Sequence, residues 1–174
     1  MFPATSTSPD DIVRREIFNI LALLYSLQRK PFSGILQSTR HDLLAEMIAI
    51  ACMQDSVVLS LCRLADPRKD VWSFLQLHQE RQKGTSAVNV IAIEGSLAKY
   101  NAAIKSVQKH ERHERIAHLS KAPGPSQDIS LENLLALARL ATETFDEILG
   151  VIQSYQLSVG SQEGKIDLRI ELFA

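Results

Sequence analysis

An all-α, antiparallel up-and-down bundle of about five helices, ending in a short extended tail, is the fold this sequence predicts. Three observations predict it. Apolar residues recur at helical spacing along the chain's main stretches, and one stretch is apolar nearly all round. Breaks rich in Pro and Gly separate those stretches. Only seven Gly and six Pro occur in 174 residues, which leaves room for long uninterrupted elements. Hydrophobic residues at 45% and charged residues at 22% exclude the disordered and fibrous classes. The length suits a single domain with one sizeable core. The expected organisation is a flexible N-terminus over residues 1–8, the bundle over 9–157 and the tail over 158–174.

The first helix starts at Pro9, where a missing N–H costs nothing, with Ser8 as its cap and Asp11 three residues on. Val13, Ile17, Ile20, Leu21, Leu24 and Leu27 form its apolar face, and Lys30-Pro31-Phe32-Ser33-Gly34 ends it. The second helix, about His41 to Ala65, is apolar nearly all round, which predicts a central element; Asp66-Pro67 closes it. A short third helix covers about Val71 to Gln82, and Gly84 ends it. The fourth is the longest. Val90, Ile93, Leu97, Tyr100, Ile104 and Val107 form a packing seam, and the same steps continue to Glu111, Glu114 and His118 before Pro123-Gly124-Pro125. Ser130 caps the fifth helix, Ile129 can staple onto Leu134, and Leu131, Leu134, Leu135, Ala138, Phe145, Ile148, Leu149 and Ile152 form the expected buried face. After Gly160 and Gly164, Ile166 to Leu172 alternates apolar and polar residues, which predicts a strand that pairs with another chain or lies along the bundle.

A net charge of −1 exerts no global pull toward nucleic acid or an anionic membrane, so any such contact must come from a local patch. Cys52 and Cys62 lie ten residues apart in one helix, about 15 Å along its axis and beyond disulfide reach. Both sit among apolar residues and read as core thiols. The first residues carry no basic stretch followed by an apolar one, so no signal peptide is expected. No apolar run reaches about 18 residues, so no membrane span is expected. A reducing cytoplasm fits these features.

The fourth helix carries the chemistry. Its seam turns from apolar to charged over the last two turns, and charge on a core-facing stripe is costly unless paired or used. Lys105, Lys109, His110, Arg112, His113, Arg115, His118 and Lys121 lie around it; from Asn101 to Lys121 five Lys and Arg stand against two Glu. Histidines exchange protons near neutral pH, and arginines grip phosphate through forked hydrogen bonds. That set suits metal-free phosphodiester cleavage by a base and a cation. The competing reading is a solvated basic helix end complementing the C-terminal dipole.

Arg112, the polar His113 and then His118 near the end of a long helix resemble the Arg-polar-x-His motif of the HEPN superfamily. With Arg115-Ile116-Ala117-His118-Leu119 and the upstream Leu61-Cys62-Arg63-Leu64-Ala65-Asp66-Pro67, the chain from about Asp10 to Gln156 looks like the abortive-infection branch of HEPN-like proteins. The resemblance implies metal-independent RNA cleavage, without cofactor, at a composite site in a homodimer, within a toxin or phage-defence system that can include an antitoxin protein. It implies His118 at the attacking 2′-hydroxyl or the leaving group, Arg112 on the phosphate, and His113 orienting the substrate or the arginine. Arg112 and His118 lie six residues apart, about 120° around a regular helix and about 9 Å along it, which agrees with a site completed by a second copy. Many HEPN-like proteins are noncatalytic binders, so a helical interaction and dimerisation module is the alternative.

Supporting roles are open at four positions. Arg115 shares a face with Glu111, which favours a surface ion pair. Asp55 and Arg63, eight apart on the second helix, read as an internal ion pair or as a support for the motif helix. A metal held by His110 with Glu114, or by His110 with His113, lacks a companion Cys pair or His-Glu-x-x-His motif, and none is expected. Trp72 and the six Phe read as core or helix-contact residues rather than a base-stacking platform.

Overall fold

The computed structural model describes residues 8–29, 39–82, 87–108, 129–158 and 165–174. Among them the elements are α1 (Pro9–Arg29), α2 (Arg40–Leu64), α3 (Phe74–Arg81), α4 (Ala87–Val107), α5 (Leu131–Leu149), β1 (Gln156–Ser158), β2 (Lys165–Asp167) and α6 (Leu168–Phe173). The architecture is all-α with a small ribbon near the C-terminus. Outside the described residues lie the expected N-terminal lead over residues 1–7, the breaks at 30–34, Gly84 and 123–125, the continuation of the fourth helix from Lys109 to Lys121, and Gly160 and Gly164.

Helix starts follow local chemistry. Ser8 Oγ accepts from the Asp11 backbone N–H (3.2 Å) while its hydroxyl donates to the Asp11 carboxylate (2.7 Å). Thr39 and Asp42 form a reciprocal capping box at α2, and Ser130 Oγ accepts from the Asn133 N–H at α5. Helix α5 ends at Gly150, whose φ of 70° is the left-handed region open to glycine. This end leaves Ile152 beyond the helix and 78% exposed, so Ile152 does not belong to the buried face.

The core is built around α1, which packs against α2, α5 and α6. All six residues expected on its apolar face are buried, each fully buried Leu, Ile or Val contributing about 1.5–3 kcal/mol by the usual transfer scale. On α4 the seam residues Ile93, Leu97, Tyr100, Ile104 and Val107 are buried against α5 and α2, and Val90 is half-buried. Tyr100 joins three helices. Its hydroxyl donates to the Leu61 carbonyl oxygen (2.8 Å), and its ring meets the edge of Phe74 with centroids 5.1 Å apart.

Helix α2 departs from the central element expected of it. Val57, Val58, Leu61, Cys62 and Leu64 are buried, but Leu44, Met47 and Ile48 are exposed. Cys52 is exposed as well, so only Cys62 is a core thiol. By length and composition α2 could cross a membrane, the one such helix among the described residues, because its short polar interruptions do not offset its apolar content. Trp72 is likewise 39% exposed rather than core, whereas Phe74 and Phe145 are buried.

The tail folds back on its own bundle. β2 pairs antiparallel with β1, Leu157 opposite Ile166, and the chain then turns helical. Asp167 caps α6 by accepting from the Arg169 N–H (2.9 Å). Leu168 and Leu172, four apart, fit one helical face as well as they fit an alternating strand, and both are buried. The cap favours the helix.

Two outcomes check this packing. Leu97→Ala should cost about 2–5 kcal/mol and Tyr100→Phe about 1 kcal/mol in denaturant unfolding; a Leu97 loss below about 1 kcal/mol would place the seam on the wrong face. Burial raises the pKa of Tyr100 well above the ordinary tyrosine value. Below pH 10 both folded and unfolded tyrosine are protonated; above it only the unfolded chain releases the proton freely. The contribution of Tyr100 to stability should therefore be constant below about pH 10 and be lost as pH rises further, with phenolate absorbance growing in step with loss of helix.

Candidate functional site

The sequence directs attention to the chain that follows α4. That helix delivers it there with Val107 buried and Lys105 exposed in its last turn. Glu111, Arg112, His113, Arg115 and His118, together with His110 and Glu114, lie outside the described residues. Of the candidate set, Asp55 and Arg63 are described.

Arg63 is not a buried charge. Its guanidinium Nη1 lies 3.0 Å from Glu16 Oε1 on α1, with the Arg63 side chain 57% exposed. It is a tie between helices at the surface, of a kind that contributes about 0–1 kcal/mol. The expected internal pairing along α2 is thus replaced, for Arg63, by a partner on a different helix. Asp55 is half-buried, two residues before the point where α2 enters the core at Val57.

Two acidic residues the sequence reading undervalued organise the ends of the bundle. Asp66, expected only to terminate α2, is buried and accepts from the Arg68 backbone N–H (3.0 Å) and from the Arg68 Nε and Nη2 (3.0–3.1 Å). The charge-assisted bonds to Asp66 push the Arg68 guanidinium above its ordinary pKa. An Asp-Pro-Arg turn carries this signal, since an Asp carboxylate readily accepts from the backbone two residues on. Asp146 on α5 accepts from the Gln153 N–H (2.8 Å) and from the Arg169 guanidinium, which also donates to the Gln153 carbonyl (3.2 Å). Tyr155 is buried beside this pair. Burial first, and then the Asp146 charge, raise its pKa above the ordinary value.

Three open clefts of about 490–550 Å³ follow the seams of the tail. Arg14, Arg15 and Tyr155 line one, with Arg14 donating to the Ser154 carbonyl (3.2 Å); Arg139 and Phe173 line the other two, with the Arg139 guanidinium over the Phe173 ring. None of the three contains a histidine or cysteine. Arg14 and Arg139 donate to the Ser154 and Phe173 carbonyls, so these clefts are joints between bundle and tail. Among the described residues no group of three or more His, Cys, Asp or Glu is placed to hold a metal.

Comparison with protein-family models, with curated proteins and with solved structures finds no match for this chain. The chemistry must be argued from its own residues.

The Asp146–Arg169 joint yields a prediction. Asp146→Ala removes the partner of a largely buried guanidinium and should destabilise the protein by about 1.5–3 kcal/mol. Limited proteolysis should then cut between Gln153 and Arg169 before it cuts the bundle. Equal protection in variant and wild type would show that the tail is held by Leu168 and Leu172 alone.

Proposed function

We propose that this protein is a HEPN-type, RNA-acting component of a toxin or phage-defence system, working in the cytoplasm without metal or cofactor at a site shared by two copies. One observation carries the reading: the Arg112–His118 motif stands directly after a helix whose seam is buried through Val107, in an all-α bundle of the kind to which that motif belongs.

In this reading His118 accepts the proton of an RNA 2′-hydroxyl, or donates one to the departing 5′-oxygen. The 2′-oxygen attacks the adjacent phosphorus, the bond to the 5′-oxygen breaks, and the products are a 2′,3′-cyclic phosphate and a 5′-hydroxyl. Arg112 neutralises the charge gathering on the phosphate oxygens, which a planar fork does better than a point charge. His113 orients the substrate or the arginine. Arg115 pairs with Glu111 and stays outside the chemistry. Asp55 and Arg63 support from α2, Arg63 by tying that helix to α1. An antitoxin protein that covers the basic segment would keep such an activity silent.

A noncatalytic interaction module is the second reading, favoured by the exposed apolar stretch of α2. The two separate cleanly. Cleavage should persist in EDTA, leave cyclic phosphate ends, and follow a histidine-type ionisation. His118→Ala should abolish it with circular dichroism unchanged, Arg112→Lys should be nearly as damaging as Arg112→Ala, and Arg115→Ala should matter far less. No cleavage of any RNA by the wild type, together with a partner whose binding Arg112→Ala abolishes, would make the motif a docking surface instead.

A further inference from the structure

We infer that the exposed apolar stripe on the first half of α2 is covered by the same stripe of a second copy, the two helices running antiparallel. Leu44 (57%), Met47 (58%) and Ile48 (54%) are exposed, and so are Ala51 and Cys52. Their spacing of three, one, three and one puts all five on a single stripe.

The bundle leaves Leu44, Met47 and Ile48 bare for a geometric reason. The Glu16–Arg63 contact sets the register of α1 against α2. Counting thirteen residues from it in each direction brings Arg29, the end of α1, level with Ile50 of α2. Helix α2 runs on to Arg40, about 15 Å further at 1.5 Å per residue, with no α1 alongside. A bilayer span is a poor occupant, because the second half of α2 is committed to the core and Arg40, Asp42 and Glu46 punctuate the first.

A second copy fits by symmetry and charge. About a two-fold axis between Met47 and Ile48, Met47 faces the partner's Ile48, and Leu44 faces the small side chain of the partner's Ala51. Arg40 then faces the partner's Asp55, and the symmetry makes that opposite-charge contact twice, one at each end of the stripe. The next register, with its axis between Ala49 and Ile50, would set Leu44 against the partner's Asp55 and Arg40 against the partner's Leu59, and a carboxylate against a leucine disfavours it. One step further, with the axis between Ala51 and Cys52, Arg40 meets the partner's Arg63 and Ile48 the partner's Asp55, which is disfavoured by like charges as well. The inference rests on the proposed reading only in its call for a second copy. A wild-type monomer removes both, whereas a dimer untouched by Ile48→Glu removes the α2 contact alone. Loss of cleavage removes the activity alone.

The test uses the full chain at micromolar concentration. Sedimentation should show a dimer, which Ile48→Glu converts to a monomer with circular dichroism unchanged, since Ile48 is exposed in the single chain. Arg40→Asp should weaken the dimer by at least about tenfold, and adding Asp55→Arg should restore it, as expected of a paired charge swap. Ile48→Cys should yield a disulfide-linked dimer on oxidation. A wild-type monomer overturns the inference. If that monomer floats with anionic phospholipid vesicles, a membrane surface covers the stripe; if its Cys52 resists alkylation, the chain's own residues do. A dimer untouched by Ile48→Glu overturns the inference too, because the contact then lies elsewhere. RNA cleavage by wild type and by His118→Ala, measured alongside, reports on the proposed activity alone.

Discussion

The buried hydroxyl of Tyr100 is the contact on which the arrangement of helices depends. A tyrosine without solvent must give its proton to some acceptor, and a helix carbonyl is normally occupied by its own ladder. Tyr100 meets this demand at Leu61, near the end of α2, where the last carbonyls lack following N–H groups. One bond therefore serves two unsatisfied groups and sets how far α4 slides along α2. The edge contact with Phe74 then fixes α3 across the same point. The Asp66–Arg68 turn just beyond closes that end of the bundle, so chain direction, helix register and capping are decided within a few residues of each other.

What was legible in the sequence follows from what period and spacing can encode. The face of α1 was readable residue by residue, because a helix packed along its whole length buries one stripe and shows it. The α4 seam was readable through Val107 for the same reason. Which part of α2 would be covered was not readable, because cover depends on where a neighbouring helix stops. An all-round apolar helix looks central whether or not α1 reaches its far end, so the pattern around Cys52 is that of a core thiol although Cys52 is exposed. The tail misled in another way. Its alternation suits a strand, its Leu168–Leu172 step suits a helix, and only the capping of α6 by Asp167 separates them.

The candidate site was legible in its residue types rather than its geometry. Arginine and histidine specify a chemistry that can be named without coordinates, since protonation and phosphate binding belong to the side chains themselves. Partners across helices cannot be named that way. Arg63 pairs with Glu16, forty-seven positions away in sequence, and no local pattern announces it. The same holds for Asp146 and Arg169, whose joint draws the tail against α5 although nothing near either residue marks them as partners.

These constraints bear on how an activity at the motif could be organised. In the proposed reading the base and the phosphate clamp act from two copies of the chain. The fold offers a place for the second copy, because the exposed Leu44, Met47 and Ile48 lie past the end of α1. Pairing there leaves the core of each bundle undisturbed: Tyr100, the α1 face and the tail joint all lie within one chain. Assembly and stability are then separable properties of different halves of one helix. The stretch from Val57 to Leu64 belongs to the monomer's core, and the exposed Leu44, Met47 and Ile48 answer to a partner in the proposed pairing. Substitutions from Val57 to Leu64 would act through folding and those at Leu44, Met47 and Ile48 through association, even though the two sets of apolar side chains are alike in composition.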